Sequence, residues 1–443
     1  MNGRSAVLLN AIAGLAVRGI EVAAKLALYV VAAALLGVVG SGLLFIAMTW
    51  GHLAATLSRL GIERALTRLV AGDLAVGQGR SARRQILSGL AIVAATSTTL
   101  GLATHLVAPI AADILFHDPA LAAPLAASGL VIPVMALTFT LTAILSGLDR
   151  TSAAQIFQNV FWPIGMLLGL ALGARDPETV ILAQATTMLV AMILATLWIL
   201  RDRARLVSNQ PLPPDIELLP SLPATAAPLY VVELVQVSIA SLPALTLGVV
   251  ADATAVSIFS LAQRASMLVH VVLLSLGTVA APRFAALHRT RSVSALARLN
   301  RQMQLAGTVM GGGVCLVLAA GGGPLLSLIG TSFAAGAILL AIMAAGQFVS
   351  ALYTAQDILL AMTGNGSALR VLNLLQLGTM LVLSIPLITT FGAEGAAIIT
   401  ALAVAQGGIG TAIAARLLIP EAATFLAPAL PAAFHSLFRR SAP

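Results

Sequence analysis

Twelve long apolar stretches, separated by short polar punctuation, run through the chain near residues 7–34, 42–62, 86–110, 121–146, 153–173, 179–200, 224–250, 256–281, 302–328, 335–362, 368–390 and 395–416. A helix crosses the hydrocarbon core of a bilayer with roughly 20 apolar residues, because each residue rises about 1.5 Å and the core is about 30 Å thick. Every stretch is that long. A tilted barrel strand needs only about 9 to 11 residues and alternates strictly between apolar and polar, which these do not, so helices are expected. The first stretch continues apolar past Lys25 and is followed by further spans, so it reads as a retained helix rather than a signal peptide.

Composition bears on the same point. Only 9% of the 443 residues are charged and 59% are hydrophobic, against about 25% charged in an average soluble domain. Too little charge is present to cover a water-soluble particle, whereas a lipid-facing exterior needs none. A nucleic-acid binder is excluded because aromatic residues are only 4% and no basic stripe interleaves with them. The single cysteine, Cys315, allows neither an intramolecular disulfide nor a cysteine metal site. No Walker lysine, H-E-x-x-H motif or Ser/His/Asp set occurs in a suitable context, so no catalytic residue, metal or cofactor is expected and the chain does not read as an enzyme.

The basic residues set the topology, since they are retained on the cytoplasmic side during insertion. With both termini inside, the inner connections and tails take nearly all of them. They include Arg64, Arg68, Arg80, Arg83, Arg84, Arg150, Arg201, Arg203 and Arg205, with Arg59 at the inner end of the second span; the outer face keeps only Arg175. The net charge of +8 is therefore mostly a topology signal.

A duplication divides the chain. Leu36-Gly37-Val38-Val39 returns as Leu247-Gly248-Val249-Val250, and Thr151-Ser152-Ala153-Ala154-Gln155 opens the fifth span much as Gly366-Ser367-Ala368-Leu369-Arg370 opens the eleventh. The shared offset of about half the chain predicts two six-helix halves. Six is even, so both halves insert in one orientation, as parallel repeats. The expected architecture is all-α and polytopic, with about 12 transmembrane helices. Residues 1–200 form the first bundle, 201–223 a cytoplasmic linker, 224–416 the second bundle and 417–443 a cytoplasmic tail.

Ionisable side chains within a span are costly and usually face the interior of a bundle or a water-filled cavity. Arg18, Glu21 and Lys25 share one face of the first helix. Arg264 in the eighth span lies at a similar depth, roughly 26 Å from the inner boundary at 1.5 Å per residue. One acid cannot neutralise two bases on its own face, and a surplus of cations suits an anionic substrate, which arginine grips bidentately if it is a phosphate. His52 in the second span, the repeat counterpart of Gln263 or Arg264, joins the candidate substrate-binding set. Its plainer reading, shared by His270, is a neutral histidine bonded between helices. Glu21 reads as a coupling group or a structural ion-pair partner. Glu233 reads equally as a protonatable coupling group or as a partner for Arg264. Asp357 reads as a solvated helix end, and the triple glycines at 311–313 and 321–323 read either as a hinge or as close helix packing.

Several short motifs carry a family resemblance: Leu60-Gly61-Ile62-Glu63-Arg64-Ala65, Ser260-Leu261-Ala262-Gln263-Arg264, Ala281-Pro282-Arg283-Phe284 and Phe391-Gly392-Ala393-Glu394-Gly395. With these, the chain resembles the polysaccharide-type flippases of the multidrug/oligosaccharidyl-lipid/polysaccharide exporter superfamily over nearly its whole length. The resemblance implies a V-shaped pair of six-helix bundles. It also implies flipping of an undecaprenyl-diphosphate-linked oligosaccharide across the bacterial inner membrane by alternating access, with glycosyltransferase or polymerase partners. Arg18, Lys25 and Arg264 stand where residues contacting the diphosphate or acidic sugars are expected. The lipid II branch usually has two further C-terminal helices that this sequence lacks. Two other functions fit the same chain: a proton- or sodium-coupled multidrug exporter, with Glu21 or Glu233 cycling the ion, and a non-transporting scaffold of a polysaccharide synthase.

Overall fold

The computed structural model describes residues 3–208 and 220–420, with side chains from residue 17 onward. Residues 209–219 of the expected linker and 421–443 of the expected tail fall outside the described residues. Those described form thirteen α-helices and no β-strand: α1 (Gly3–Arg59), α2 (Ile62–Ala75), α3 (Gly79–Ile110), α4 (Ala122–Gly147), α5 (Thr151–Asn159), α6 (Phe161–Ala171), α7 (Pro177–Arg201), α8 (Leu222–Val250), α9 (Ala253–Arg289), α10 (Val293–Ser327), α11 (Gly336–Leu352), α12 (Gln356–Met362) and α13 (Gly366–Leu418).

The expected spans are present, joined in places without loops. At 57 residues, α1 as one rod would run about 85 Å, nearly three hydrocarbon thicknesses. It is broken at Gly37, whose φ of 72° and ψ of 179° are open to glycine alone. The break falls between the first two apolar stretches. Gly392 (φ 57°, ψ −129°) breaks α13 between the last two in the same way. α5 and α6 together make the fifth span, and α11 and α12, bent by 42°, make the tenth. Nine described helices are long and apolar enough to cross a bilayer. The bent pair adds a tenth, and dividing α1 and α13 at their glycines brings the spans to twelve.

The chain separates into two compact units, residues 1–237 with 252–257, and residues 238–251 with 258–443. In the first, α4 is the hub, packing on α1, α2, α3, α5 and α7. Helices in lipid gain little from burying leucine, so small residues that let backbones approach carry the contact. A methyl group on Gly101 of α3 or Gly129 of α4 would sit 2.5 or 2.6 Å from the other's carbonyl oxygen. Thr138 of α4 adds a hydrogen bond to the Met188 carbonyl of α7 (3.1 Å), and Thr67 of α2 one to Ala143 of α4 (3.1 Å).

Both ends of the second span also hold residues that follow the linker. At its start the Ser41 and Ser257 hydroxyls lie 2.6 Å apart, 216 residues away in sequence, about one repeat length, and Gly42 lies against the Ala253 backbone. At its far end Gly61 lies against Ala226 and Tyr230. These contacts explain why 222–237 and 252–257 belong to the first unit.

The second unit uses the same device. Gly346 of α11 meets the Ala401 backbone and Gly408 of α13 meets Ser350. The 311–313 glycines lie in an unbroken α10, where Gly311 packs closely against Ala351 and Leu273 and Gly312 against Phe348. Large apolar side chains such as Leu106, Ile114, Leu316 and Val382 point outward, as a lipid-facing exterior requires.

Candidate functional site

The first cluster is built on the first helical arm of α1. Glu21 and Lys25 are one turn apart, and their charges meet at 2.6 Å. Glutamate four residues before lysine is the favourable order for such a pair. Lys25 also donates to Asn159 Oδ1 at the end of α5 (3.4 Å), and its ammonium lies 5.6 Å from the ring centre of Trp162, near the start of α6. That is cation–π distance. His52, on the second arm of α1, meets the same indole in a T-shaped arrangement, with ring centres 5.0 Å apart. Trp162 is buried; Lys25 and His52 are half-buried and Arg18 is exposed.

Two of the sequence-derived substrate residues, Lys25 and His52, therefore converge on one aromatic plate. Glu21 chooses Lys25 rather than Arg18, and Arg18 makes no ion pair among the described residues. The face consequently carries one positive charge in surplus, on an exposed guanidinium. An anionic headgroup meeting this face finds a charged fork in Arg18 and a polar rim of Lys25, Asn159 and His52.

A second cluster lies at the far end of the second span. Arg59, only 5% exposed, places Nη2 2.9 Å from Glu233 Oε1 of α8 and Nη1 2.9 Å from Glu63 Oε2 of α2. It also donates to Thr56 Oγ1 (2.9 Å), and its guanidinium carbon lies 4.9 Å from the ring centre of Phe139. Gln158 donates to the other Glu63 oxygen (3.0 Å), while the exposed Arg64 reaches Gln236 at 3.4 Å. The partner of Glu233 is thus Arg59, not Arg264. In the sequence Arg59 reads only as one of the topology-setting charges; the signal that marks it is the Glu63 four residues on, across the Gly61 turn.

The second unit holds Arg264, half-buried on α9, with Nη1 3.6 Å from the Met267 sulfur. Its neighbour Gln263 is buried, and His270 and Asp357 are exposed. Among the described residues no group of His, Cys, Asp and Glu side chains is arranged to hold a metal ion.

Solved structures with this fold are transporters by their titles. The lipid II flippase MurJ in an inward closed conformation matches with a TM-score of 0.72 at 13% identity, covering 92% of this chain and 87% of that one. An inward-facing multidrug resistance MATE family transporter of the MOP superfamily matches at 0.65 and 15%, covering 90% and 95%. The MATE multidrug transporter DinF-BH matches at 0.61 and 17%, covering 95% and 96%. At these identities the likeness establishes the fold. No curated protein matches the chain by sequence. The polysaccharide biosynthesis protein family model matches residues 7–288, more than half of the sequence, and the chain belongs to that family.

Proposed function

We propose that the protein moves an undecaprenyl-diphosphate-linked oligosaccharide from the inner to the outer leaflet of a bacterial inner membrane by alternating access, supplying surface polysaccharide synthesis. The observation that carries this reading is a helix face with one surplus cation, the exposed Arg18 two turns before Lys25, which lies over Trp162, in a chain of the polysaccharide biosynthesis family. A diphosphate is the part of such a lipid that must be held by charge as it leaves water, and the arginine fork matches phosphate geometry. Transport of this kind makes and breaks no covalent bond, so binding and release are all the residues must do. Arg264 supplies the corresponding cation in the second half. The two compact units are the moving bodies, with both termini and the tail 417–443 on the cytoplasmic side. Glycosyltransferases supply the cargo and a polymerase consumes it.

The deciding experiment neutralises Arg18 and Arg264 together. R18Q/R264Q should abolish surface polysaccharide at unchanged protein level, and reconstituted wild-type protein should carry a lipid-linked sugar across a vesicle membrane. Full export by the double mutant removes the cationic face from the mechanism. Drug resistance without a polysaccharide phenotype would assign the chain to multidrug export instead, and an absence of transbilayer movement would make it a scaffold.

A further inference from the structure

Residues 253–356 carry charge of one sign. No acid occurs between Asp252 and Asp357, whereas Arg264, Arg283, Arg289, Arg291, Arg298 and Arg301 all fall in that stretch. All but Arg264 lie around the turn from α9 to α10, at the end of α10 that the basic-residue rule places on the cytoplasmic side. Arg298 is exposed and makes no ion pair among the described residues. The negative charge that would complement this end must come from a partner.

Further along α10, where it packs on α11, runs a groove of about 480 Å³. Val309, Gly312, Gly313 and Leu316 wall it on one side and Ala345 and Phe348 on the other. Both helices belong to the second unit. Thr308 also lines the groove, but its hydroxyl donates to the Gln304 carbonyl of its own helix (2.8 Å), so the walls present mostly hydrocarbon. Gly313 opens the groove. It is exposed within an unbroken helix, and a methyl group on it would meet nothing within 4 Å. Neither close packing nor a left-handed backbone calls for glycine at this position, and glycine is a poor residue for a helix interior. What the missing side chain leaves is room for another molecule. Phe348 forms the back wall, 3.1 Å from where a methyl group on Gly312 would sit.

The charge and the groove share one face of α10. Leu305, Val309, Gly312 and Leu316 follow Arg298 by seven, eleven, fourteen and eighteen residues, each close to a whole number of helical turns. Gly312 stands about 21 Å from Arg298 along the axis. A bilayer is about 40–45 Å thick with its headgroups, so one leaflet is roughly 20 Å deep. A lipid whose phosphate meets Arg298 therefore ends its acyl chain at the glycine notch. We propose that this face of α10 and α11 binds one anionic phospholipid of the inner leaflet. Its phosphate lies against Arg298, with Arg301 one turn further on, and one acyl chain passes Leu305 into the groove at Gly312 and Gly313. A zwitterionic lipid fills the groove equally well but gains less from the guanidinium, and that difference is the selectivity of the site.

Such binding is independent of what the protein carries, and native mass spectrometry of the full-length protein released from detergent micelles measures it lipid by lipid. Phosphatidylglycerol should bind about fivefold more tightly than phosphatidylcholine, corresponding to about 1 kcal/mol for one arginine. R298Q should erase that preference and R298K should keep it. R83Q, an equal loss of charge at an exposed position in the first unit, should leave it unchanged. G313F, whose ring enters open space, should weaken both lipids alike and preserve their ratio. Equal binding of the two lipids by wild type, a preference that survives R298Q, or a G313F protein that binds both as wild type does overturns the site. Three further results would give the groove to another occupant and overturn it equally. These are displacement of phosphatidylglycerol by inorganic phosphate, displacement by a lower concentration of undecaprenyl phosphate, and a dimer that G313F dissolves.

Discussion

Arg59 Nη2 lies 2.9 Å from Glu233 Oε1, joining the end of the second span to α8 across 174 residues of sequence. Both side chains are buried, so the pair is poorly screened, and removal of Arg59 leaves Glu233 without its cation, whereas Arg59 keeps Glu63 if Glu233 is removed. Replacing Arg59 by methionine should lower stability by about 3–5 kcal/mol. Substitution by lysine should fall between, because an ammonium is a point charge that cannot present separate N–H groups to Glu233 and Glu63. Thermal unfolding of purified protein in detergent checks both.

Lys25 has two roles that a single substitution cannot separate: it neutralises Glu21 and it faces the proposed cargo. The double mutant E21Q/K25Q removes the first need while leaving the second unmet. We expect K25Q and the double mutant to be equally defective in export. Restoration of export by the double mutant would reduce Lys25 to an ion-pair partner. R18Q, at an exposed position, should reduce export while changing stability by less than about 0.5 kcal/mol.

Trp162 contacts both the Lys25 ammonium and, in a T-shaped arrangement, the His52 ring. Truncation to alanine should cost about 3–5 kcal/mol as a core cavity. Phenylalanine keeps the filling but offers the ammonium a weaker π-face. W162F should therefore retain most of the stability and lose more export than stability, measured by surface polysaccharide against unfolding temperature.

Gly61 and Gly173 both adopt positive φ, 73° and 105°, but a methyl group on Gly61 would sit 2.5 Å from the Ala226 carbonyl oxygen, whereas one on Gly173 meets nothing within 4 Å. G173A should show only backbone strain, about 1–2 kcal/mol. G61A adds displacement of α8, and should be the more destabilising of the two and weaken the Arg59–Glu233 contact. Denaturation of the two variants side by side tests the difference.

Much of this organisation is legible in the sequence. Hydropathy locates the spans because lipid forces every helix to be long and apolar, and the breaks at Gly37 and Gly392 fall in gaps between apolar stretches. Helical spacing alone puts Glu21 on one face with Arg18 and Lys25; that it pairs with Lys25 is seen only in the structure. Arg59 escapes because a basic residue at the end of a span already has an explanation in topology, and its partner is remote in sequence. Trp162 escapes because it sits in an apolar run, where an aromatic ring looks like filling. Local periodicity determines which helix face a residue occupies; what that face meets is decided by tertiary packing.

Glu63 also bears on how the protein is made. When Arg59 emerges from the ribosome, Glu233 is 174 residues away, on the order of ten seconds or more of synthesis. Glu63 is four residues away and follows almost at once. The nascent first half can thus settle in the bilayer with its arginine already neutralised, and Glu233 joins Glu63 beside that arginine once α8 arrives.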